Sequence, residues 1–478
     1  MIKKHAVIVF FAVTLLMGVC AKSESSLSEI SLPDPYGMEF EPLNFKPVKP
    51  TITTLKNGLE FWHIINPKLP LVTLIIDIDA GSLLDPIDKF GVAELTMQML
   101  PTGGTESMTA KAFKEKSELM GLTFRQSASE EVAQLSVTCL SVDLKETLAM
   151  LMDIIQHPRF DSDEFELIRR EARESIIKAE QEPFYQAFNT LRKRVYGETH
   201  PSARFLDKET LETISCSDLK AFHRAYYHPN TARFAVVGAV TDADIKYIKK
   251  TLTRWKGKSE RTIVWPEYQP ASETASIVLV DRPGTQAVVA MGHLGYEPSH
   301  PHQYDLEVFN DIYGSGGLSS RLMNHVRTQK GLAYMVFGHH SLGIPKGMFV
   351  AGCMTQNSSV VEAIKTILDV TRGMQTDLVG EEEMEKSIES IENSFIFRFE
   401  SPQWVLQRLL VHRRRGLPDD YLETYLENVR KVTPESIQQA AIDTIDLDKI
   451  QIIVSGPADI LKPELEKLGL PLEVVNKH

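Results

Sequence analysis

The predicted fold depends on MGLTFRQSASEEVAQLSVTCLSVDLKETLAMLMDII, the stretch from Met120 to Ile155. Its pattern is Gly-Leu-x-aromatic, a strand, a turn, a strand that contains a cysteine, and an amphipathic helix. The same order returns in KGLAYMVFGHHSLGIPKGMFVAGCMTQNSSVVEAIKTILDVT, from Lys330 to Thr371. So long a period predicts two duplicated domains, because solenoid repeats are only about 20 to 50 residues long.

The segment between the two copies indicates where the domains meet. SERTIVWPEYQPASE, residues 259–273, contains two prolines and little apolar periodicity, which is typical of a linker. We therefore predict one domain over residues 51–258 and a second over residues 274–478. Residues 22–50 are rich in Ser, Pro and Glu and are predicted to form an extended lead-in.

The N-terminus has the layout of a secretory signal peptide. Two lysines precede an apolar run from Ala6 to Val19, and small and polar residues follow. Cleavage after Ala21 would make residues 1–21 the signal peptide, and we expect the exported protein in the periplasm. A lipoprotein is the alternative, in which a lipid on Cys20 is the one expected contact with a membrane.

Composition and charge exclude some functions. The net charge of −12 argues against nucleic-acid binding, since no extended basic stretch can neutralise phosphates. The densest basic run is HRRRG at residues 412–416, and it is interpreted as a solvated helix face. Without the leader the chain retains Cys139, Cys216 and Cys353, and an odd number in an exported chain does not suggest a disulfide framework. Cys139 and Cys353 fall in predicted buried strands, where cysteine acts as a small hydrophobic residue.

Three segments resemble a known family: LKNGLEFWHIINPKLPLVTLIIDIDAGSLLDP at 55–86, AFHRAYYHPNTARFAVVGAV at 221–240 and SGGLSSRLMNHVRTQKGLAY at 315–334. They resemble the insulinase-type (pitrilysin, M16) peptidases, above all the short bacterial members related to mitochondrial processing peptidase. The resemblance covers nearly everything from Leu55 onward. It implies two homologous α+β domains of the M16, LuxS/metallohydrolase-like type, each an antiparallel-rich sheet with helices packed on one face.

Active members of that family carry His-x-x-Glu-His on a helix that corresponds here to FGVAELTMQM, residues 90–99. The two histidines bind zinc, and the glutamate is the general base. In this chain Glu94 and Gln98 stand at the histidine positions, and Met97 stands at the base position. A thioether cannot accept the proton, and an amide is a poor zinc ligand. The resemblance therefore implies a degenerate zinc site.

The family's third zinc ligand is a glutamate on a later helix. The corresponding position here is Ser175, with Glu174 as its neighbour, and one carboxylate does not hold a catalytic zinc. Neighbouring histidines on a strand point to opposite faces, and loop histidines without a third ligand do not hold a metal. These remaining histidine groups are His339 with His340, and His293, His300 and His302. We predict no metal site and no cofactor on this chain.

Arg327 and Tyr334 stand seven residues apart, and they are predicted to end a helix and to enter a strand. In the resembling family an arginine and a tyrosine at this spacing face the zinc across the cleft and hold the substrate carbonyl. Both side chains are donors that can stabilise a developing oxyanion. From spacing alone the simpler alternative is a surface ion pair for Arg327 and strand packing for Tyr334.

The stretch YGSGGLSSR, residues 313–321, resembles the glycine-rich loop that contributes to substrate entry in the related processing enzymes. Gly314, Gly316 and Gly317 would allow a peptide backbone to approach closely, and Ser319 would lie beside it. The alternative is a flexible turn before a helix.

The combination implies the non-catalytic subunit of a heterodimeric M16 zinc peptidase. Such a subunit binds a peptide or an unfolded protein and supplies Arg327 and Tyr334 to a partner subunit, which carries the intact motif and the zinc. Two alternatives stay open. One is a catalytically inert scaffold or peptide-binding protein, and the other is an M16 metalloendopeptidase with an atypical site.

Overall fold

The computed structural model describes residues 48–260, 264–343, 345–397, 399 and 401–476. The predicted signal peptide, Cys20 and nearly all of the lead-in lie outside the described residues. Among the described helices, none combines the length and the apolar character that crossing a lipid bilayer requires.

The first half of the chain forms one mixed sheet and a group of helices. Its strands are β1 (Thr51–Thr54), β2 (Glu60–Ile65), β3 (Leu71–Ile78), β4 (Thr123–Ala128), β5 (Ala133–Leu140) and β6 (Ala232–Gly238). Its helices are α1 (Val92–Met99), α2 (Ala110–Leu119), α3 (Leu144–Gln156), α4 (Ser162–Gln181), α5 (Pro183–Tyr196), α6 (Lys208–Thr213), α7 (Cys216–Tyr226) and α8 (Asp242–Leu252).

The strand order of this first sheet is β1-β2-β6-β3-β5-β4. Strands β2 and β6 run parallel, and the other neighbours run antiparallel. The sequence of β3, LVTLIIDI, is buried at every residue except the first, which suits a strand enclosed between two neighbours and covered on both faces. Strand β4, TFRQSA, is mostly exposed and lies at the edge of the sheet.

The second half repeats this architecture. Its strands are β7 (Ser276–Asp281), β8 (Gln286–Leu294), β9 (Ala333–His340), β10 (Met348–Gln356), β11 (Gln451–Gly456) and β12 (Leu472–Asn476). Its helices are α9 (Gln303–Asn310), α10 (Val360–Thr376), α11 (Glu381–Phe397), α12 (Pro402–Arg414), α13 (Tyr421–Val429), α14 (Pro434–Thr444) and α15 (Ala458–Leu465). Two π-helical segments, Asp311–Ser315 and Met323–Gln329, follow α9.

The second sheet confirms the internal repeat. Its strand order is β12-β7-β11-β8-β10-β9, so five consecutive strands match β2-β6-β3-β5-β4 of the first sheet. Gly121 and Gly331 have φ angles of 62° and 61°, and each turns the chain into the edge strand of its sheet. Only glycine adopts this left-handed conformation without strain. Cys139 and Cys353 are buried, unpaired residues of the equivalent strands β5 and β10.

Each sheet has one face covered by helices of its own half and the other face covered by a helix of the other half. Helices α1, α3, α4 and α8 contribute to the core on one face of the first sheet. On its opposite face Leu406 and Leu410 of α12 pack with Trp62 and Ile75. Helix α5 of the first half packs in return on the second sheet, where Leu191 joins the apolar cluster of that sheet. The two halves together form a single compact unit.

An ion pair accompanies the packing of α12 on the first sheet. Arg414 donates to the Asp77 carboxylate, which is fully buried in β3 and also accepts a hydrogen bond from Gln134 at 2.7 Å. The interpretation of HRRRG as a solvated face is correct for the exposed Arg413 and wrong for Arg414. The reason is that α12 of one half buries its last turn on the sheet of the other half, a contact that local sequence does not reveal.

The segment predicted to be a linker is held in place in its described part. The backbone N–H groups of Gln269 and Ala271 donate to the end of α5, at 3.1 and 2.9 Å. The Tyr268 ring stacks on His200 at 4.5 Å, and its hydroxyl accepts the backbone N–H of Lys346 at 2.9 Å. These contacts connect the segment to both halves.

Candidate functional site

Helix α1 begins at a cap that a side chain upstream of the helix provides. The Asp85 carboxylate accepts the backbone N–H of Gly91 at 2.7 Å and that of Ala93 at 2.8 Å. Gly91 has a φ of 104°, and a side chain there would collide with Leu206. Burial raises the pKa of the Asp85 carboxyl to about 7, although the two N–H donors oppose the shift. The cap sets the start of the helix that carries the degenerate motif.

The base position of the motif in α1 holds no proton acceptor. Gln98 donates its side-chain N–H to the Glu94 carboxylate at 3.1 Å, so the two residues at the histidine positions bond to each other. The Glu94 side chain is exposed, yet desolvation by the surrounding protein raises its pKa, and the Gln98 hydrogen bond opposes this shift. Met97 is only 1% exposed and belongs to the core of the first half. The base position thus holds an apolar side chain.

The motif helix borders a cavity of about 1170 Å³, which we call the motif cavity. Its lining includes Glu94 and Gln98 of α1, the end of the edge strand β4, one face of α4, and Arg414 with Arg415 from the second half. Both halves of the chain therefore form its walls. An exposed edge strand on the wall of a cavity leaves backbone hydrogen-bonding groups available to an extended peptide.

Helix α4 carries the segment that corresponds to the third ligand. Ser175 lines the motif cavity, whereas Glu174 does not. Glu171, one helical turn before Ser175, also lines the cavity and was not identified from the sequence. The spacing of three or four residues along a helix was the signal that could have identified it.

The donor groups of the motif cavity do not suit zinc. Zinc in proteins takes imidazole, thiolate and carboxylate ligands, and a catalytic site needs three of them. The described lining of the cavity has carboxylates, glutamine amides and serine hydroxyls but no histidine or cysteine, and the Glu94 carboxylate already accepts the Gln98 amide. Within the described ranges no three His, Cys, Asp or Glu side chains are grouped so that they could hold a metal ion.

Several of the remaining histidines take part in local hydrogen bonds. His293 accepts the backbone N–H of Asp446 at 3.2 Å, and His302 lies between the carboxylates of Asp305 and Asp443 at 2.8 and 3.1 Å. His339 and His340 end β9, and the second of them is buried.

Arg327 and Tyr334 come together in the structure. Arg327 lies in the π-helical segment and Tyr334 is the second residue of β9, as predicted. The guanidinium lies over the tyrosine ring, 4.6 Å from its centroid. The Tyr334 side chain is 79% exposed, and Arg327 forms no ion pair with any described residue. The pair is therefore a stacked, solvent-facing unit, and neither member lines the motif cavity of the same chain.

The glycine-rich loop divides into a structural part and an exposed part. A side chain at Gly314 would lie 2.5 Å from the backbone of Gly338 in β9, and one at Gly316 would lie 2.4 Å from the Asp311 carbonyl. These two glycines are therefore required by packing within the chain. Gly317 has a φ of 68° with open space around it, and the hydroxyl of the exposed Ser319 donates to the Gly316 carbonyl at 2.9 Å.

Comparison with known sequences identifies the family. The family model described as insulinase (peptidase family M16) matches residues 63–207, and the model described as peptidase M16 inactive domain matches residues 213–391. The chain belongs to the peptidase M16 family.

Members of this family with different described activities are similar to the chain. An uncharacterized zinc protease, YmxG of Bacillus subtilis, is 26% identical over 79% of this chain and 93% of its own length. Two further relatives come from Helicobacter pylori. Zinc protease PqqE is 24% identical over 82% of this chain and 91% of its own length. The non-peptidase homolog YmxG is 23% identical over 78% of this chain and 86% of its own length.

A solved structure of the family has the same fold. The crystal structure of a peptidase M16 inactive domain from Pseudomonas fluorescens superposes with a TM-score of 0.78 at 26% identity, covering 86% of this chain and 98% of that one. The M16 fold of two related α+β domains, expected from the resemblance, is confirmed.

Proposed function

We propose that this M16 protein is the non-catalytic subunit of a two-subunit zinc peptidase. The observation that carries the proposal is the contrast between the two sets of motif residues. The metal and base positions hold a carboxylate and an amide bonded to each other, beside a buried thioether. The Arg327 and Tyr334 pair, in contrast, is assembled and accessible.

The position of the pair favours action on a second chain. A guanidinium and a phenol stabilise a developing oxyanion only within hydrogen-bond reach of it. Arg327 and Tyr334 do not line the cavity of their own chain, so they would act in the cleft of a partner subunit that carries His-x-x-Glu-His and zinc. The stacking of the guanidinium on the ring would hold both donors in a defined orientation.

The motif cavity would serve to bind the substrate. The edge strand β4 provides unpaired backbone groups for an extended peptide, which is how many domains recognise unfolded segments. The exposed Gly317 and Ser319 would contact the same substrate on the side of the second half. The predicted leader would place this activity in the periplasm.

The existence in Helicobacter pylori of both a zinc protease and a non-peptidase homolog among the relatives supports the proposal. Two such proteins of one family are what a two-subunit enzyme requires. The solved relative described as an inactive domain is consistent with a chain that has no active zinc site of its own.

The test is reconstitution with an M16 homologue of the same genome that carries the intact motif. We expect the chain alone to contain no stoichiometric zinc and to leave an unstructured peptide uncleaved. Mixed with the homologue, the chain should raise the rate of cleavage. The double variant Arg327→Ala with Tyr334→Phe should remove that gain, because loss of an oxyanion donor lowers kcat by roughly a hundredfold. The control is Tyr247→Phe, which removes one hydroxyl from a partly exposed tyrosine of α8.

The outcomes separate the three functions. An enhancement that survives the double substitution favours the inert scaffold. Cleavage and bound zinc in the isolated chain would establish an atypical metallopeptidase and refute the proposal.

A further inference from the structure

The C-terminal ends of α3, α7 and α8 meet at a cavity of about 690 Å³ on the first half. Its lining is strongly cationic, and we call it the cationic pocket. The lysines and arginines that line it are Arg159, Lys220, Arg224, Arg254 and Lys256. One carboxylate, that of Glu106, lines it as well.

The positive charge of the pocket is opposite to the net charge of the whole chain. The protein has 64 acidic and 52 basic residues and a net charge of −12, so an average surface pocket would hold more carboxylates than cations. The cations are also largely unneutralised. Arg159 pairs with Asp161 at 3.6 Å, while the other four cationic side chains have no acidic partner among the described residues. Their charge is available to a ligand.

The local arrangement is unfavourable without a ligand. Lys220 and Arg224 are four residues apart on α7, where like charges repel each other across one helical turn. Cations near helix C-termini do offset the helix dipole, which amounts to about half a negative charge per helix. The partial negative charges of three helix ends therefore offset only part of the net positive charge of the pocket, which has five cations and one carboxylate.

We propose that the cationic pocket binds an organic ligand through a phosphate group. Arginine presents paired donors to phosphate oxygens, and lysine adds a compact point charge. The volume lies in the range of about 300 to 1000 Å³ of pockets that enclose organic ligands, so it exceeds the needs of a bare phosphate ion. A soluble phosphate ester and the headgroup of an anionic phospholipid share this chemistry.

The site is separate from the peptide-binding role. The cationic pocket and the motif cavity have no lining residue in common. Its cations come from three segments of the chain that are distant in sequence, so it is a local pocket and not the extended phosphate track of a nucleic-acid binder.

The experiment uses the intact chain and two probes. Binding of inorganic pyrophosphate is measured by calorimetry, and binding of phosphatidylglycerol vesicles is measured by co-sedimentation, with phosphatidylcholine vesicles for comparison. The test variant is Lys220→Ala with Arg224→Ala. The matched control is Lys246→Ala with Lys250→Ala, which removes two exposed lysines of the same spacing from α8 outside the pocket.

We expect saturable binding of at least one probe, a loss of about tenfold or more in affinity in the test variant, and a change of less than about twofold in the control. Arg254 lies outside any helix, and Arg254→Ala should also weaken binding. This variant separates the loss of a cation from a folding effect in α7. Binding of pyrophosphate that is not shared by vesicles assigns a soluble ester. Vesicle binding that pyrophosphate displaces assigns the headgroup. Failure of both probes to bind, or equal losses in the test and control variants, would overturn the proposal.

Discussion

Asp85 is the residue on which the start of the motif helix depends most directly. Its carboxylate accepts two backbone N–H groups, that of Gly91 just before α1 and that of Ala93 in the first turn, which have no partner within the helix itself. The cost of this arrangement is the burial of a carboxyl group, which raises its pKa from 3.8 to about 7. The position of Glu94 and Gln98 in the cavity is thus coupled to the protonation of a buried acid.

The contribution of Asp85 to the free energy of unfolding therefore depends on pH, and the raised pKa defines its direction. Because the folded-state pKa is raised, the contribution of Asp85 to stability is complete below about pH 4 and is lost as the pH rises toward 7. Asp85→Asn does not titrate. We expect the free energy of unfolding of wild type, relative to this variant, to fall by more than about 1 kcal/mol between pH 5 and pH 8. Urea unfolding of both proteins at the two pH values measures it, and a difference independent of pH would contradict it.

Among elements, α12 is the one whose role differs most from its sequence pattern. Leu406 and Leu410 are buried on the sheet of the other half, and Arg414 meets the buried Asp77. Arg414 is therefore largely buried, whereas the preceding arginine of the same run is exposed. Burial raises the pKa of the Asp77 carboxyl group, and the guanidinium and the Gln134 amide, which both bond to it, oppose this shift.

Truncation of Arg414 tests this contact between the halves. Arg414→Ala leaves the Asp77 charge buried without its cation, and we expect a loss of about 3 to 5 kcal/mol in unfolding free energy. Arg413→Ala is the matched control, because its half-exposed ion pairs contribute only about 0 to 1 kcal/mol. Arg414→Met combined with Asp77→Leu should recover most of the loss, since it removes both charges. Equal effects of the two single substitutions in urea unfolding would refute the assignment.

For the whole molecule, the exchange of α5 and α12 makes the two halves interdependent. Each half alone would expose a sheet face lined by residues such as Trp62 and Ile75, or Val278 and Val350. Such an apolar surface favours association between the halves. The duplication visible in the sequence therefore does not imply two independently stable domains.

Calorimetry tests this interdependence. We expect one cooperative thermal transition for the described part of the chain, with equal calorimetric and van 't Hoff enthalpies. Two separated transitions, or a stable fold of residues 48–258 expressed alone, would contradict it.

Much of the fold was predictable because its signals are local. The apolar run of β3, the left-handed glycines Gly121 and Gly331 and the repeated strand-turn-strand-helix order all depend on neighbouring residues. The loss of zinc-binding and base chemistry at Glu94 and Met97 could also be predicted, since the identity of a side chain limits what it can ligate or deprotonate. The family, the repeated architecture and the degenerate motif could therefore be predicted without any tertiary contact.

Tertiary structure alone decided what depends on contacts between distant segments. It placed Ser175 and not Glu174 at the motif cavity, buried Arg414 from a run that looked solvated, and collected cations near residues 159, 220–224 and 254–256 into one pocket. No local pattern carries this information. Burial, electrostatic pairing and the shape of a cavity are set by which surfaces meet after folding, and those surfaces come from parts of the chain hundreds of residues apart.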